Sequence, residues 1–283
     1  MLAVLLALAA AAGYGGSDYT AGLAARQASV VRVTVLVEVT SAALLLCVIP
    51  FISSQGPTLT SVLWGAGAGA SGVAGAMALY LGFRHAAFSV ASSVSAVGSA
   101  AFSVLAGVAL GEQPGPLSLA GIALALPAIV AVSAPASQPG RQGPTGRHAV
   151  GVGLGLVAGA GFGLFFIGLN EAGSSTDLWP IVIAQVSAMV TVTCVAAVTR
   201  DLRLPPAGAR RLSVLAGAIG AAGTAMFFLA THHGLLAVTA VITSLYPAVT
   251  ILLARALSGE RLTALRIIGL CLAAASVGLI AAG

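Results

Sequence analysis

Ten apolar runs, each about twenty residues long, follow one another along this chain. A helix needs about 20 apolar residues to cross the hydrocarbon core of a bilayer. Only 7% of the residues are charged, whereas a soluble domain carries about 25%, so lipid must surround most of the chain. The sequence therefore predicts an all-α membrane protein with ten transmembrane helices, at about 2–24, 29–50, 60–83, 86–110, 115–135, 149–170, 178–199, 212–233, 235–256 and 262–282.

The sequence matches itself at an ungapped offset of 148 residues. The matched residues include Gly13 with Gly161, Gly69 with Gly217, Tyr80 with Phe228, Gly111-Glu112 with Gly259-Glu260, and Gly121 with Gly269. Each copy holds five predicted helices, an odd number, so the second copy enters the membrane from the opposite side, as in many secondary transporters. We therefore predict two inverted five-helix halves, 1–136 and 149–283, joined by a central cytoplasmic linker at 137–148.

The distribution of arginine gives an independent prediction of topology. All twelve basic residues are Arg, and they fall in or beside the connections that follow helices 1, 3, 5, 7 and 9, whereas Glu112, Glu171 and Asp177 fall on the other side. Basic residues near helix ends mark the cytoplasmic face. We expect a multi-pass protein of the inner (plasma) membrane with cytoplasmic Arg-rich loops and both termini outside the cytoplasm. The arginines form no continuous basic face, which argues against nucleic acid binding.

Two acidic residues lie inside predicted spans. A charged residue at the centre of a span costs about 2.5–3.5 kcal/mol on insertion scales and usually marks a functional site. Asp18 lies near the cytoplasmic end of helix 1, where Arg32 of helix 2 is close enough in depth to pair with it, either as a structural ion pair or as part of a site. Glu38 lies near the middle of helix 2 with no evident partner, so it is the better candidate for a proton or cation site.

Other candidate site residues lie in helices 1, 7 and 9. Gly15 and Gly16 lie beside Asp18, and we interpret them as an interruption of helix 1 with a hinge role, although close helix packing explains such glycines equally well. Pro247 predicts a kink in helix 9. Three more residues are expected to line the transport path with the acids, namely Tyr14, Gln185 and Tyr246. Gln185 is one position from the repeat equivalent of Glu38.

No sequence feature indicates an enzyme, a cofactor or a metal site. The motifs G-x-S-x-G, H-E-x-x-H and the P-loop are all missing from the sequence. Cys47, Cys194 and Cys271 lie in apolar runs without metal-ligand spacing. Helix 1 has no basic segment before it, so we expect it to belong to the fold rather than to a cleaved signal.

The chain resembles the ten-helix EamA-like transporters of the drug/metabolite transporter superfamily over its whole length. The resemblance is carried by the runs 13–19 (GYGGSDY), 159–166 (GAGFGLFF) and 244–247 (SLYP), and by the Gly-Glu turns after helices 4 and 9. It implies alternating access around a central cavity formed by helices 1–4 and 6–9, with helices 5 and 10 at the periphery. Members mostly export metabolites, amino acids or drugs, often in exchange for protons. Many carry basic loops after even-numbered helices, the reverse of this chain, so the direction of transport stays open.

The sequence thus favours a secondary transporter of a small solute, with proton-coupled export as the expected mode. Its partners are expected to be a small-molecule substrate, protons and the lipid bilayer, in a monomer or a homodimer. The alternative is a membrane interaction or accessory protein that transports nothing and uses its glycine-rich helix faces to bind partner helices.

Overall fold

The fold comes from a computed structural model, which describes residues 1–52, 56–85, 88–134, 145–173, 178–258 and 263–283. Within these ranges every regular element is an α-helix. The helices are α1 Leu2–Ala25, α2 Val30–Ile52, α3 Leu59–His85, α4 Phe88–Ala109, α5 Pro116–Val132, α6 Thr145–Glu171, α7 Trp179–Val198, α8 Ala207–Thr231, α9 Leu236–Thr243, α10 Tyr246–Ser258 and α11 Ala264–Ala282.

The predicted transmembrane spans correspond to these helices. Nine stretches of the described chain are long and apolar enough to cross a membrane, and one of them, Leu236–Leu257, combines α9 and α10. The remaining predicted span is α5, an apolar helix of 17 residues. The all-helical membrane fold is therefore confirmed, with helix ends that differ from the predicted ones by a few residues.

The packing has the polarity expected of a protein in lipid. Large apolar side chains such as Leu63 and Leu105 are 64% and 70% exposed, and Cys47, Cys194 and Cys271 are exposed as well. The interior is filled mainly by Ala, Gly and Ser, with a smaller number of Val, Ile, Leu and Phe side chains. Lipid tails are as apolar as Leu, so helices associate through close packing of small residues rather than by hiding large ones.

Helices that are neighbours in sequence make few contacts, whereas helices from opposite halves pack extensively. The main partner of α1 is α8, and the main partner of α3 is α6. Similarly, α2 packs against α7 and α8, α4 packs against α6, and α5 packs against α11. Residues 1–134 and 145–283 are therefore interleaved in one helical bundle.

Two glycine contacts between the halves correspond to each other at the repeat offset. A Cβ placed on Gly13 of α1 would lie 2.6 Å from the Cα of Gly223 in α8. A Cβ placed on Gly161 of α6 would lie 2.8 Å from the Cα of Gly75 in α3. Gly161 is 148 residues after Gly13, and Gly223 is 148 residues after Gly75, so the two contacts correspond to each other at the sequence offset of 148.

Helices α5 and α11 also make two close contacts that correspond to each other at the offset of 148 residues. A Cβ on Gly121 of α5 would lie 2.6 Å from Cγ1 of Ile280 in α11. Gly269 of α11, the repeat equivalent of Gly121, packs as closely against Val132, the repeat equivalent of Ile280. In addition, Ser276 Oγ donates a hydrogen bond to the Gly121 carbonyl at 2.7 Å. These glycines are required because another backbone or side chain occupies the position of a Cβ.

Contacts between connections show which helix ends lie together. At one end, Arg32 of α2 pairs with Asp201 in the α7–α8 connection, and Arg266 Nε of α11 donates to the Ala134 carbonyl at 3.0 Å. These contacts join the connection after helix 1 to the one after helix 7, and the end of helix 5 to the beginning of the last helix.

At the other end of the bundle, Glu112 binds the first turn of α9. Its two carboxylate oxygens accept hydrogen bonds from the backbone N–H groups of Leu236 and Ala237, the second at 2.9 Å. An acid at a helix N-terminus satisfies donors that have no partner in the helix and interacts favourably with the helix dipole. The sequence shows Glu112 only as part of the Gly-Glu turn after helix 4, so this contact with α9 was not predicted.

Candidate functional site

A cavity lies between the two halves, within the membrane-spanning part of the bundle. The cavity is open to solvent on one side, and the empty space in and in front of it amounts to about 720 Å³. Its described lining comes from α1, α2, α3, α6, α7, α8 and α10. Neither α5 nor α11 contributes a described lining residue, which agrees with the peripheral position expected for the fifth and tenth spans. The fourth span was expected to help form the cavity, but α4 contributes no described lining residue either.

The structure brings five of the six residues predicted to contact the substrate together around this cavity. They are Tyr14, Asp18, Glu38, Gln185 and Tyr246. They come from four different spans and are separated by up to 232 residues along the chain. Only the helix packing across the two halves brings them into one place.

Glu38 of α2 has a partner that the sequence only hinted at. Gln185 Nε2, from α7, donates a hydrogen bond to Glu38 Oε2 at 3.3 Å. Glu38 is half-buried and Gln185 is buried. The expectation that Glu38 has no partner was wrong, whereas the related depth of Gln185 is confirmed. The neutral amide leaves Glu38 without a compensating positive charge at this contact.

Asp18 of α1 also has a neutral partner. Tyr80 Oη, from α3, donates to Asp18 Oδ1 at 3.5 Å, a long hydrogen bond. Tyr80 lines the cavity and was not among the predicted site residues. Its signal in the sequence was a phenol inside an apolar run, at a position that the repeat matches with Phe228.

Arg32 is the predicted site residue that does not line the cavity. Instead of pairing with Asp18, it forms an ion pair with Asp201, to which the Ser29 hydroxyl also donates a hydrogen bond. The Ser29 hydroxyl and the Arg32 guanidinium hold the pKa of Asp201 below its ordinary value. The physical reason is that α2 packs on α7 and α8 rather than on α1, so the beginning of α2 lies against the α7–α8 connection.

Tyr14 connects the acidic part of the cavity to an aromatic wall. Its hydroxyl donates to Thr224 Oγ1 of α8 at 3.3 Å. Its ring contacts Phe165 and Phe166 of α6, with centroid distances of 6.5 Å and 6.2 Å. Phe166 in turn stacks on Phe227 at 4.3 Å. Tyr14 and Asp18 are four residues apart, so they lie on the same face of α1.

Tyr246 lies where the ninth span is interrupted. The helix ends at Thr243 and begins again at Tyr246, next to Pro247, so the span is interrupted where the sequence predicts a kink. The Tyr246 hydroxyl donates to Ser95 Oγ of α4 at 3.4 Å. Tyr246 therefore lines the cavity at the point where the helix resumes, and the Ser95 hydroxyl of the fourth span holds its phenol in place.

Helix α1 is continuous from Leu2 to Ala25, so the interpretation that its glycines interrupt it was wrong. A Cβ on Gly15 would lie 2.6 Å from the Tyr246 carbonyl oxygen, and one on Gly16 would lie 3.3 Å from Ile219 Cγ2. The Gly15 carbonyl also accepts a hydrogen bond from Thr250 at 3.1 Å. The packing alternative explains both glycines, because α10 and α8 approach α1 at these positions.

The charged side chains of the described lining are all acidic. It includes two carboxylic acids, Asp18 and Glu38, but neither Arg nor His. Among the described residues, no group of three or more His, Cys, Asp or Glu residues is placed to hold a metal ion. The polar chemistry available to an occupant is therefore that of carboxylates, phenols, hydroxyls and one amide.

Residues 149–282 match the model of the EamA-like transporter family. The second half of this chain belongs to that family. The resemblance seen in the sequence is thereby confirmed for these residues. The three phenylalanines of the cavity lining, together with Gln185, Thr224 and Tyr246, fall within the EamA-like part. The EamA-like part supplies one side of the cavity, and the first half of the chain supplies both acids.

A crystal structure of another protein has the same fold as this chain. The two have a TM-score of 0.76 at 15% sequence identity, over 98% of this chain and 95% of the other. At this identity the likeness concerns the fold alone. Among curated proteins, no sequence matches the chain.

Proposed function

We propose that this protein is a secondary transporter that moves a small solute across the inner membrane by alternating access, with proton-coupled export as its mode. The observation that carries the proposal is the cavity itself, which holds two half-buried carboxylic acids inside the membrane-spanning bundle. Acids at such a depth are costly and usually serve a transport or proton pathway. The membership of residues 149–282 in a transporter family supports the same function.

The proposed architecture is two inverted five-helix halves, 1–136 and 149–283. The paired exchange of contacts supports it, since Gly13 with Gly223 and Gly161 with Gly75 are equivalent at the offset of 148. A two-fold relation between the halves produces such an exchange, because it maps each contact onto its counterpart. Most of the linker proposed at 137–148 lies outside the described residues.

The proposed mechanism uses the seam between the halves. Asp18 and Glu38 come from the first half, whereas Gln185, Thr224 and the phenylalanines come from the second. A rocking motion of one half against the other changes the side from which this seam is reached, as in other inverted-repeat transporters. A carboxylate that binds either a proton or the solute couples the two fluxes, because the two compete for one site.

The test is transport by the purified protein in liposomes that contain a pH-sensitive dye. A panel of amines, amino acids and drug-like compounds is added under an imposed pH gradient, and both solute uptake and proton movement are followed. We expect Asp18→Asn and Glu38→Gln to abolish the coupled flux. Glu171→Gln, which removes an acid that does not line the cavity, serves as the matched control and should transport normally. A folded protein that moves none of the panel would instead favour the interaction or accessory function.

A further inference from the structure

The charges around the cavity restrict what it can hold. Asp18 and Glu38 face it from α1 and α2, and the described lining has no basic side chain to balance them. The hydrogen-bond donors that the described structure places on these two acids are the neutral groups of Tyr80 and Gln185. An occupant that brings a positive charge compensates the acids, whereas one that brings a negative charge adds repulsion in a medium that screens it poorly.

The phenol and amide donors of the lining are already directed at protein acceptors. The three phenol groups of the cavity donate to Thr224, Asp18 and Ser95, and the Gln185 amide donates to Glu38. A substrate carboxylate would therefore have to compete for donors as well as face two acids. The described cavity thus offers acceptors rather than an anion site.

The second feature is an aromatic wall. Six of the fifteen aromatic residues of the chain line this one cavity: Tyr14, Tyr80, Phe162, Phe165, Phe166 and Tyr246. Aromatic faces attract cations through the ring quadrupole and pack against flat apolar groups. Because Tyr14 contacts Phe165 and Phe166 and lies one helical turn from Asp18, the wall and the acids are adjacent.

We infer that the substrate is an organic monocation, a protonated amine or a quaternary ammonium joined to an aromatic or bulky apolar body, and that amino acids with a free carboxylate are excluded. The cationic nitrogen lies between Asp18 and Glu38, and the apolar body lies against the phenylalanines of α6. This inference rests on the proposed transport function only in taking the occupant of the cavity to be the substrate.

The experiment is equilibrium binding to the purified protein in nanodiscs, which needs no transport. The probes share a phenyl group and differ in charge: phenethylamine and phenylalanine methyl ester as cations, phenyltrimethylammonium as a quaternary cation, phenylalanine as a zwitterion, and 3-phenylpropionate as an anion. We expect the three cations to bind at least about tenfold more tightly than phenylalanine and no saturable binding of 3-phenylpropionate. Ethylammonium, a cation without the ring, should bind more weakly than phenethylamine.

Variants separate the two features of the site. Asp18→Asn and Glu38→Gln should each weaken phenethylamine binding by about 30-fold or more, because a desolvated cation loses its counter-charge. Phe162→Leu keeps an apolar side chain but removes a half-buried ring and should weaken it by about threefold, whereas Phe162→Tyr keeps the ring and should restore it. Glu171→Gln should bind as the unaltered protein does, and melting temperatures identify any variant that fails to fold.

The results distinguish this inference from the transport proposal. Cation-selective binding without flux in liposomes supports the inference and overturns the transport function. Flux of phenylalanine or 3-phenylpropionate that disappears in the Asp18 and Glu38 variants supports transport and overturns the substrate class. Failure of every cationic probe to bind the folded protein also overturns it.

Discussion

Gln185 Nε2 lies 3.3 Å from Glu38 Oε2, in a hydrogen bond between helices of opposite halves. Replacing Gln185 by Leu leaves the carboxylate without this donor in the cavity. An interaction of this kind contributes about 1–1.5 kcal/mol, so we expect the apparent affinity for the transported solute to fall about five- to tenfold. The measurement is the solute concentration that gives half-maximal flux, with the melting temperature as a check on folding. Unchanged affinity in a well-folded Gln185→Leu protein would show that this amide has no part in the site.

The close glycine contacts predict a loss of stability. Gly13→Ala and Gly161→Ala each place a methyl group within 3 Å of a backbone carbon of the facing helix, and overpacking of this kind costs about 1–3 kcal/mol. Gly67 is the matched control, because nothing lies within 4 Å of its Cβ position. Gly67→Ala should leave the melting temperature in detergent unchanged or slightly raised, since Ala favours helix over Gly. Equal effects at Gly67 and Gly13 would argue against the contact.

The Arg32–Asp201 pair predicts a pH dependence of stability. The pKa of Asp201 is lowered, first by the Ser29 hydrogen bond and then by Arg32, so its stabilising effect is present above the unfolded pKa of about 3.9. That effect is lost as the pH falls through the lower pKa of the folded state. The unaltered protein should melt slightly above Asp201→Asn from pH 8 to about pH 5, and the difference should vanish at lower pH.

A charge exchange tests whether this effect belongs to the pair. Arg32→Asp alone places two acids together and should lower the melting temperature at neutral pH. The double variant Arg32→Asp with Asp201→Arg should recover most of the loss. If the double variant is no more stable than the single one, the two side chains do not interact as the structure describes.

Pro247 is a candidate hinge of the ninth span. Pro247→Ala gives residue 247 an N–H group and favours a helix that continues across the present interruption between Thr243 and Tyr246. We expect the maximal flux to fall several-fold with little change in equilibrium binding, because the cavity keeps its side chains while the helix loses its flexible point. Normal flux in Pro247→Ala would rule out a hinge role.

The proposed topology can be tested by labelling from each side of the membrane. With Cys47, Cys194 and Cys271 replaced by Ala, a single cysteine is placed at Arg203 or at His233, both exposed in connections at opposite ends of the bundle. An impermeant maleimide added to intact cells should label His233→Cys and should reach Arg203→Cys only after the cells are broken. The reverse pattern would show that the protein has the opposite orientation in the membrane, and labelling of both from outside would contradict the arrangement of the helices.

The sequence predicted the spans, a break in helix 9 near Pro247 and five residues that line the cavity, because each depends on a local property. Apolar runs, a proline, or a carboxyl group inside a span can be recognised without knowing what lies opposite. Arg32 was misassigned because its position along α2 says nothing about which helix packs against it. Tyr80 and the role of Glu112 were missed for the same reason, since their partners Asp18 and Leu236 are 62 and 124 residues away.

The interleaved packing also has a consequence for how the protein is made. The first helix leaves the ribosome about two hundred residues before its main partner α8 is complete. Until then its glycine face has only lipid or the insertion machinery to cover it. Assembly must therefore come late, when both sets of helices are present. A chain that stops after the fifth span would leave exposed the glycine-containing helix faces that normally pack against the second half.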